Sequence, residues 1–265
     1  MESLIKLRGP DQFKTRRGRN LFWVTFEHVA VRCIQANEPC PPICWQWLAD
    51  ISPFIGDEDR SALAVYYFLL EASVFIHSVM QARYESPKPA DALAAVPQVL
   101  ERLATVDAVD MPYYLLPRFP TQGYLWNNYR CVRALVYHAV VELLDFASSA
   151  VAGEESQHVR AALQGLRSAS LEITHDMVQA VLDNLCTDAE NDPDTNTHWE
   201  LNTLCWGDTL KHLWAVSNIA EVSGVGSRQH KQVDRLLARM YRHLGIEGPQ
   251  EVNLKFKLSS NMDTG

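Results

Sequence analysis

The chain has six cysteines in 265 residues (Cys33, Cys40, Cys44, Cys131, Cys186 and Cys205), and no two of them form a Cys-x2-Cys pair. That lack excludes a zinc ribbon, a zinc finger and a binuclear zinc cluster within these residues. Pro41 and Pro42 stand between Cys40 and Cys44, a stiff segment that predicts an extended loop rather than a metal clamp. Cys33, Cys131 and Cys205 fall in apolar helical patterns, where a free cysteine acts as a small hydrophobe. Sustained apolar–polar alternation is missing, and so are Asn-Gly and Asp-Gly turns, which excludes β-hairpins. No uninterrupted run of about 18 apolar residues occurs, so no membrane-spanning helix and no membrane partner are expected. The first residues also lack a secretory apolar core and cleavage site, and a reducing intracellular compartment is the expectation. Gly-x-Ser-x-Gly, P-loop, dinucleotide and His-Glu-x-x-His signatures are absent, and no cofactor or metal is expected. Basic residues are outnumbered, with Lys+Arg 24 against Asp+Glu 32 and a net charge of −8. Phosphate backbones require clustered cations, so direct sequence-specific nucleic-acid binding is not expected. The one basic cluster, Lys6, Arg8, Lys14, Arg16, Arg17 and Arg19, reads as a solvated helix start, with an acidic partner as the other reading.

What the chain does contain is helical pattern. Hydrophobic residues make up 47% and charged residues 21%, ordinary for a globular protein. Apolar residues recur at spacings of three and four over 18–36, 59–84, 90–105, 124–150, 155–185, 199–222 and 228–244, which predicts helices. The segment 59–84 is apolar on most faces, as a central buried helix is. Prolines 39, 41, 42, 87, 89, 112, 117 and 120 mark breaks, and 187–198 is a polar acidic loop. Leu4, Ile5 and Leu7 read as the last turn of a helix stopped by Gly9 and Pro10, with the next helix starting near Thr15 or Gly18. Gly224-Val225-Gly226 reads as a turn between helices. The expectation is an all-α single domain of about seven to nine helices in an irregular bundle or array, spanning 1–247, with a polar tail over 248–265.

Two stretches also carry a resemblance. Residues 3–22, with Leu4, Leu7-Arg8-Gly9, Gln12-Phe13 and Gly18-Arg19-Asn20-Leu21-Phe22, resemble a stretch of the fungal-specific transcription-factor regulatory domain. Tyr124-Leu-Trp-Asn-Asn-Tyr-Arg130-Cys-Val-Arg133 resembles the tryptophan–asparagine–tyrosine–arginine helix of the same family, and 206–244 resembles its closing helices. The resemblance implies a helical regulator of a fungal secondary-metabolite pathway and a nuclear location. It implies action through a protein partner, such as a DNA-binding factor, or through a small hydrophobic metabolite. In the family this domain follows a binuclear zinc cluster, whereas here the stretch begins at residue 3. The expectation is therefore a regulator acting without its own zinc-cluster domain; a truncated gene model is the duller reading. In the second stretch Trp126 and Tyr129 share one helix face and Asn127 and Arg130 the next. A buried Arg or Asn requires partners, and so specifies how neighbouring helices meet.

The metal-binding motifs that the acidic segment suggests fail position by position. An EF-hand over 188–199 places Pro193 where glycine is needed and Trp199 where a bidentate glutamate is needed, and fails. A terpene-cyclase metal motif matches at Asn191, Asp192 and Thr195, but Trp199 again displaces the glutamate and Pro193 breaks the helix. His138 and Glu142, four apart, read as an ordinary polar pair, as does His175 beside Asp176. The remaining candidate is an aromatic pocket, with Tyr114, Tyr124, Trp126, Arg130 and His138 as ligand-binding residues and no catalytic or metal-binding residues assigned. The alternative function is a repurposed, cytoplasmic, cofactor-independent cyclase or cycloaddition catalyst. Such an enzyme would use that pocket to orient its substrate.

Overall fold

The computed structural model describes residues 9–86, 88–107, 123–151, 157–185 and 206–245. Among these residues there are helices and no strands, as the periodicity predicts. The α-helices are α1 (Arg16–Gln35), α2 (Ile43–Ile51), α3 (Asp57–Tyr84), α4 (Pro89–Asp107), α5 (Gly123–Ser148), α6 (Gln157–Leu185), α7 (Trp206–Val222) and α8 (Arg228–Leu244), with 3-10 turns at Pro10–Lys14 and Ser52–Phe54. They fall into two compact units, the first holding α1 to α4 and the second α5 to α8.

In the first unit Gly9 takes φ 62° and ψ −178°, backbone that only glycine adopts without strain. The proposed helical turn at Leu4–Leu7 lies outside the described residues. The chain then makes the Pro10–Lys14 turn, and Thr15 caps α1 by accepting a hydrogen bond from the Gly18 N–H at 3.1 Å. Helix α1 buries Phe22, Trp23, Phe26, Ala30, Cys33 and Ile34, one stripe at helical spacing. That stripe meets α3 through Tyr66, which stacks on Trp23 at 5.2 Å and meets Phe26 edge-on at 5.4 Å. Phe13 closes the end of the stripe, its ring edge-on to Phe22 at 5.0 Å.

Helix α2 was not expected, because Pro41 and Pro42 read as extended. The two prolines instead start a helix: the Cys44 N–H bonds the Pro41 carbonyl at 2.9 Å and the Trp45 N–H the Pro42 carbonyl at 3.3 Å. The first turn of a helix uses none of its own N–H groups, so proline loses nothing there and its fixed φ favours the start. Cys44, Trp47, Leu48 and Ile51 are buried, and the Trp45 indole N–H bonds Glu71 of α3 at 3.0 Å.

Helix α3 is the core of this unit. Although no unbroken apolar run exists, 60–84 contains a window with mean hydropathy 1.6 and is long and apolar enough to cross a membrane. Ser61, Glu71, Ser73 and His77 interrupt the run without lowering the average below that level. Of that window 61% is buried within the protein, and packing against α1, α2 and α4 accounts for its composition. Helix α4 lies on α3 through Ala92, Val96, Val99 and Val106, and Arg102 donates to Ser78 at 2.7 Å.

In the second unit α5 is central, buried from Leu125 to Ala147 on almost every face, with α6 and α7 packed against it. Helices α7 and α8 form a hairpin whose turn uses Gly224 at φ 71° and Gly226 at φ 83°, the reading given to those glycines. Ser227 caps α8, accepting from the His230 N–H at 2.9 Å and donating to the Ser223 carbonyl at 2.6 Å. His230 Nδ1 lies 3.1 Å from the Ala220 carbonyl and fastens α8 to the last turn of α7.

Candidate functional site

Four of the five sequence-designated residues lie on α5, while Tyr114 lies outside the described residues. Fourteen residues separate Tyr124 from His138, about 21 Å along the helix axis. Tyr124 and Trp126 lie on opposite faces, about 200° apart. The four residues therefore do not converge on one cavity, and each does something separate. Tyr124 is half-buried in the first turn. Trp126 is buried, with its ring edge-on to Tyr129 at 5.9 Å. His138 and Glu142 form the expected pair, 3.5 Å apart and partly exposed. Trp45 and Trp47 belong to α2 of the first unit.

Arg130 takes part in a polar junction inside the second unit. Its guanidinium donates to the Asn127 side-chain oxygen at 3.4 Å and to the Ala180 carbonyl of α6 at 3.2 Å. The Asn127 amide reaches His212 Nδ1 of α7 at 3.2 Å. With the amide donating, Nδ1 accepts and the imidazole proton sits on Nε2. Asn127 is fully buried and His212 nearly so. One cluster thus joins three helices, as the Asn127–Arg130 face predicts. His212 was not foreseen, because its partner lies 85 residues away and a lone histidine in a helical pattern gives no local signal. The next residue, Cys131, is completely enclosed, and burial pushes its thiol pKa well above the usual range. It stays a neutral thiol.

A cleft opens between α6 and α8. It encloses about 360 Å³ and is lined by His175 and Gln179 of α6, Ser227 of the cap, and Arg228, Gln229 and Gln232 of α8. Gln229 is buried and holds the two helices together, its amide donating to the His175 carbonyl at 3.1 Å and to Gln179 Oε1 at 3.2 Å. Arg228 is exposed at the rim and is the first residue of a 17-residue helix, whose N-terminal end carries partial positive charge. Guanidinium, imidazole and amides stand around a small concavity whose exposed surface is mostly apolar, which suits a small amphipathic ligand with an anionic group. Of these six residues only His175 drew notice in the sequence. The others are ordinary surface types until the α7–α8 hairpin brings them opposite α6.

Among the described residues no group of three or more His, Cys, Asp or Glu is arranged to hold a metal ion; the acidic segment 187–198 lies outside them. No family model matches the chain, and no curated protein or solved structure is significantly similar to it.

Proposed function

We propose that the chain is a regulatory protein that acts by binding, of the kind its sequence resembles, and that the α6–α8 cleft is the seat of its ligand. The observation that carries this reading is the cleft: a concavity of about 360 Å³ with Arg228 at its rim and a buried amide bridge at its floor. The ligand class shifts with it. A small hydrophobic metabolite would suit an aromatic pocket, whereas these side chains favour a small carboxylate-bearing metabolite. In this reading occupancy pulls α8 toward α6, and the α7–α8 hairpin passes the change to whatever partner the unit meets. A nuclear role alongside a separate DNA-binding factor follows from the resemblance. The cyclase alternative gains no support from the dispersal of Tyr124, Trp126, Arg130 and His138 along α5.

Calorimetric titration of the full chain with a panel of mono-, di- and tricarboxylates tests this reading. Saturable binding that is lost in Arg228→Ala is the expected result. Equal binding by wild type and variant, or no saturable heat across the panel, removes the cleft from the proposal. A mobility-shift assay with the chain alone is expected to show no sequence-dependent duplex binding at physiological salt; a tight, sequence-dependent shift would refute the regulator-by-partner reading.

A further inference from the structure

Helix α8 carries a charged face of which the cleft uses only Arg228. Arg228, Lys231, Arg235, Ala238 and Arg242 follow one another at spacings of three and four, which places them within about 80° around the helix axis. All five are exposed. The opposite side of the helix buries Gln229, Val233, Leu236 and Met240, so packing of the second unit fixes the direction of this face. From Arg228 to Arg242 the row is about 21 Å long. Among the described residues none of its four cations makes an ion pair. Arg242 turns back on its own helix, its Nε–H donating to the Ala238 carbonyl at 3.2 Å. Asp234 is the only acid in α8, and it pairs with His230 at 3.5 Å beside the row. The row also works against the stability of α8. A cation at a helix N-terminus opposes the dipole, and like charges three and four residues apart repel. In a chain of net charge −8 it is a local reversal of sign.

We propose that this face of α8 docks an acidic helix of a protein partner, one whose carboxylates recur at spacings of three and four. A helix of that pattern presents its carboxylates in a straight row with the same pitch as the cations, so successive pairs form side by side. The guanidinium forks of Arg228, Arg235 and Arg242 take carboxylates in bidentate fashion, which favours one register over a diffuse attraction. An anionic membrane fits less well. A helix bound at a lipid surface buries its apolar face in the lipid, and in α8 that face is occupied by the core of the second unit. Duplex DNA also fits less well, because the negative field of the whole chain opposes the approach of a long polyanion. A short acidic helix meets mainly the local row, since salt screens charges beyond about 8–10 Å. The inference rests on the protein partner of the proposed function but not on the cleft, which is lined by neither Lys231, Arg235 nor Arg242.

The test follows the fluorescence anisotropy of a labelled alanine-based peptide of about 20 residues, long enough to lie along the row, with glutamates at alternating spacings of three and four. Titration with the full chain near physiological salt should saturate, and added salt should weaken the binding. The triple variant Lys231→Ala, Arg235→Ala, Arg242→Ala should bind about tenfold more weakly, the expected effect of losing three exposed ion pairs. It should keep the wild-type far-UV circular dichroism, because the three side chains are exposed and alanine favours helix. Should it fail to fold, Arg235→Gln alone decides, with a loss of about twofold expected. A peptide with glutamine for glutamate should not bind. A glycine-rich peptide with the same number of glutamates should bind more weakly than the helical one, which separates matched spacing from bulk charge. No saturable binding, equal binding by wild type and variant, or equal binding of the helical and glycine-rich peptides would each overturn the proposal. So would tighter binding of a DNA duplex or of phosphatidylserine vesicles that the triple variant loses. Calorimetry with carboxylates reads the cleft independently, since none of the three substituted residues lines it.

Discussion

Two helical glycines give the sharpest prediction, because the same substitution is expected to act with opposite sign at each. Replacing an interior helical glycine by alanine normally stabilises by about 0.5–1 kcal/mol, chiefly by restricting the unfolded chain. At Gly165, in α6, an added Cβ meets nothing within 4 Å, so Gly165→Ala should gain that amount. At Gly18, in the first turn of α1, an ideal Cβ would stand 1.9 Å from the backbone oxygen of Gln12, where ordinary contact begins at 3.4 Å. The shortfall is about 1.5 Å, and a backbone carbonyl cannot rotate away as a side chain can. Relief requires the Pro10–Lys14 turn to move as a whole. That turn is held by the Gln12 side-chain bond to the Gly9 carbonyl at 3.0 Å and by the Arg19 bond to the Phe13 carbonyl at 3.0 Å. It also carries Phe13, which is 2% exposed and packed on Phe22. Overpacking of this kind costs about 1–3 kcal/mol, enough to outweigh the propensity gain. Urea unfolding followed by far-UV circular dichroism and by tryptophan fluorescence should lower the midpoint for Gly18→Ala and raise it for Gly165→Ala. A raised midpoint for both would refute the close approach of the 3-10 turn to α1.

Other perturbations give smaller tests. Arg130→Met keeps the aliphatic bulk but removes the bonds to Ala180 and Asn127; a loss of about 1.5–3 kcal/mol is expected from urea unfolding, as for hydrogen bonds made by a charged group. Ser217 Oγ is buried without a hydrogen-bond partner, so Ser217→Ala should be neutral or stabilising by up to about 1 kcal/mol, read as an unchanged or raised thermal midpoint. Ser227→Ala removes the α8 cap and should cost about 1 kcal/mol in urea unfolding. The same variant should weaken any ligand of the α6–α8 cleft, measured by titration. Cys131, enclosed and with its pKa raised by burial, should resist alkylation near neutral pH until the second unit unfolds; labelling as fast as in urea would contradict its burial.

Much of the fold was legible along the chain. The expected helices recur with ends shifted by up to two residues, save that 155–156 and 199–205 lie outside the described residues. Helix periodicity, Thr15 as a cap, and glycines at 9, 224 and 226 act within a few residues of themselves, which is why sequence alone reveals them. Helix α2 escaped because its apolar stretch is short and its opening prolines suit an extended segment and a first helical turn equally well. On α5, Trp126–Tyr129 and Asn127–Arg130 could be read as pairs, since residues three apart share a face.

Where those pairs ended up was a matter for tertiary structure. Nothing in the sequence distinguishes His212 from any other helical histidine until α7 lies against α5 and Asn127 needs a partner. Gln229, Gln179 and Arg228 become a cleft only when the hairpin folds α8 onto α6. The sequence by itself determined that the chain is helical, where most of its helices begin and end, and which faces are apolar, because those properties depend on neighbours along the chain. The tertiary structure decided which polar groups meet, because burial makes each one require a partner and that partner comes from a distant helix.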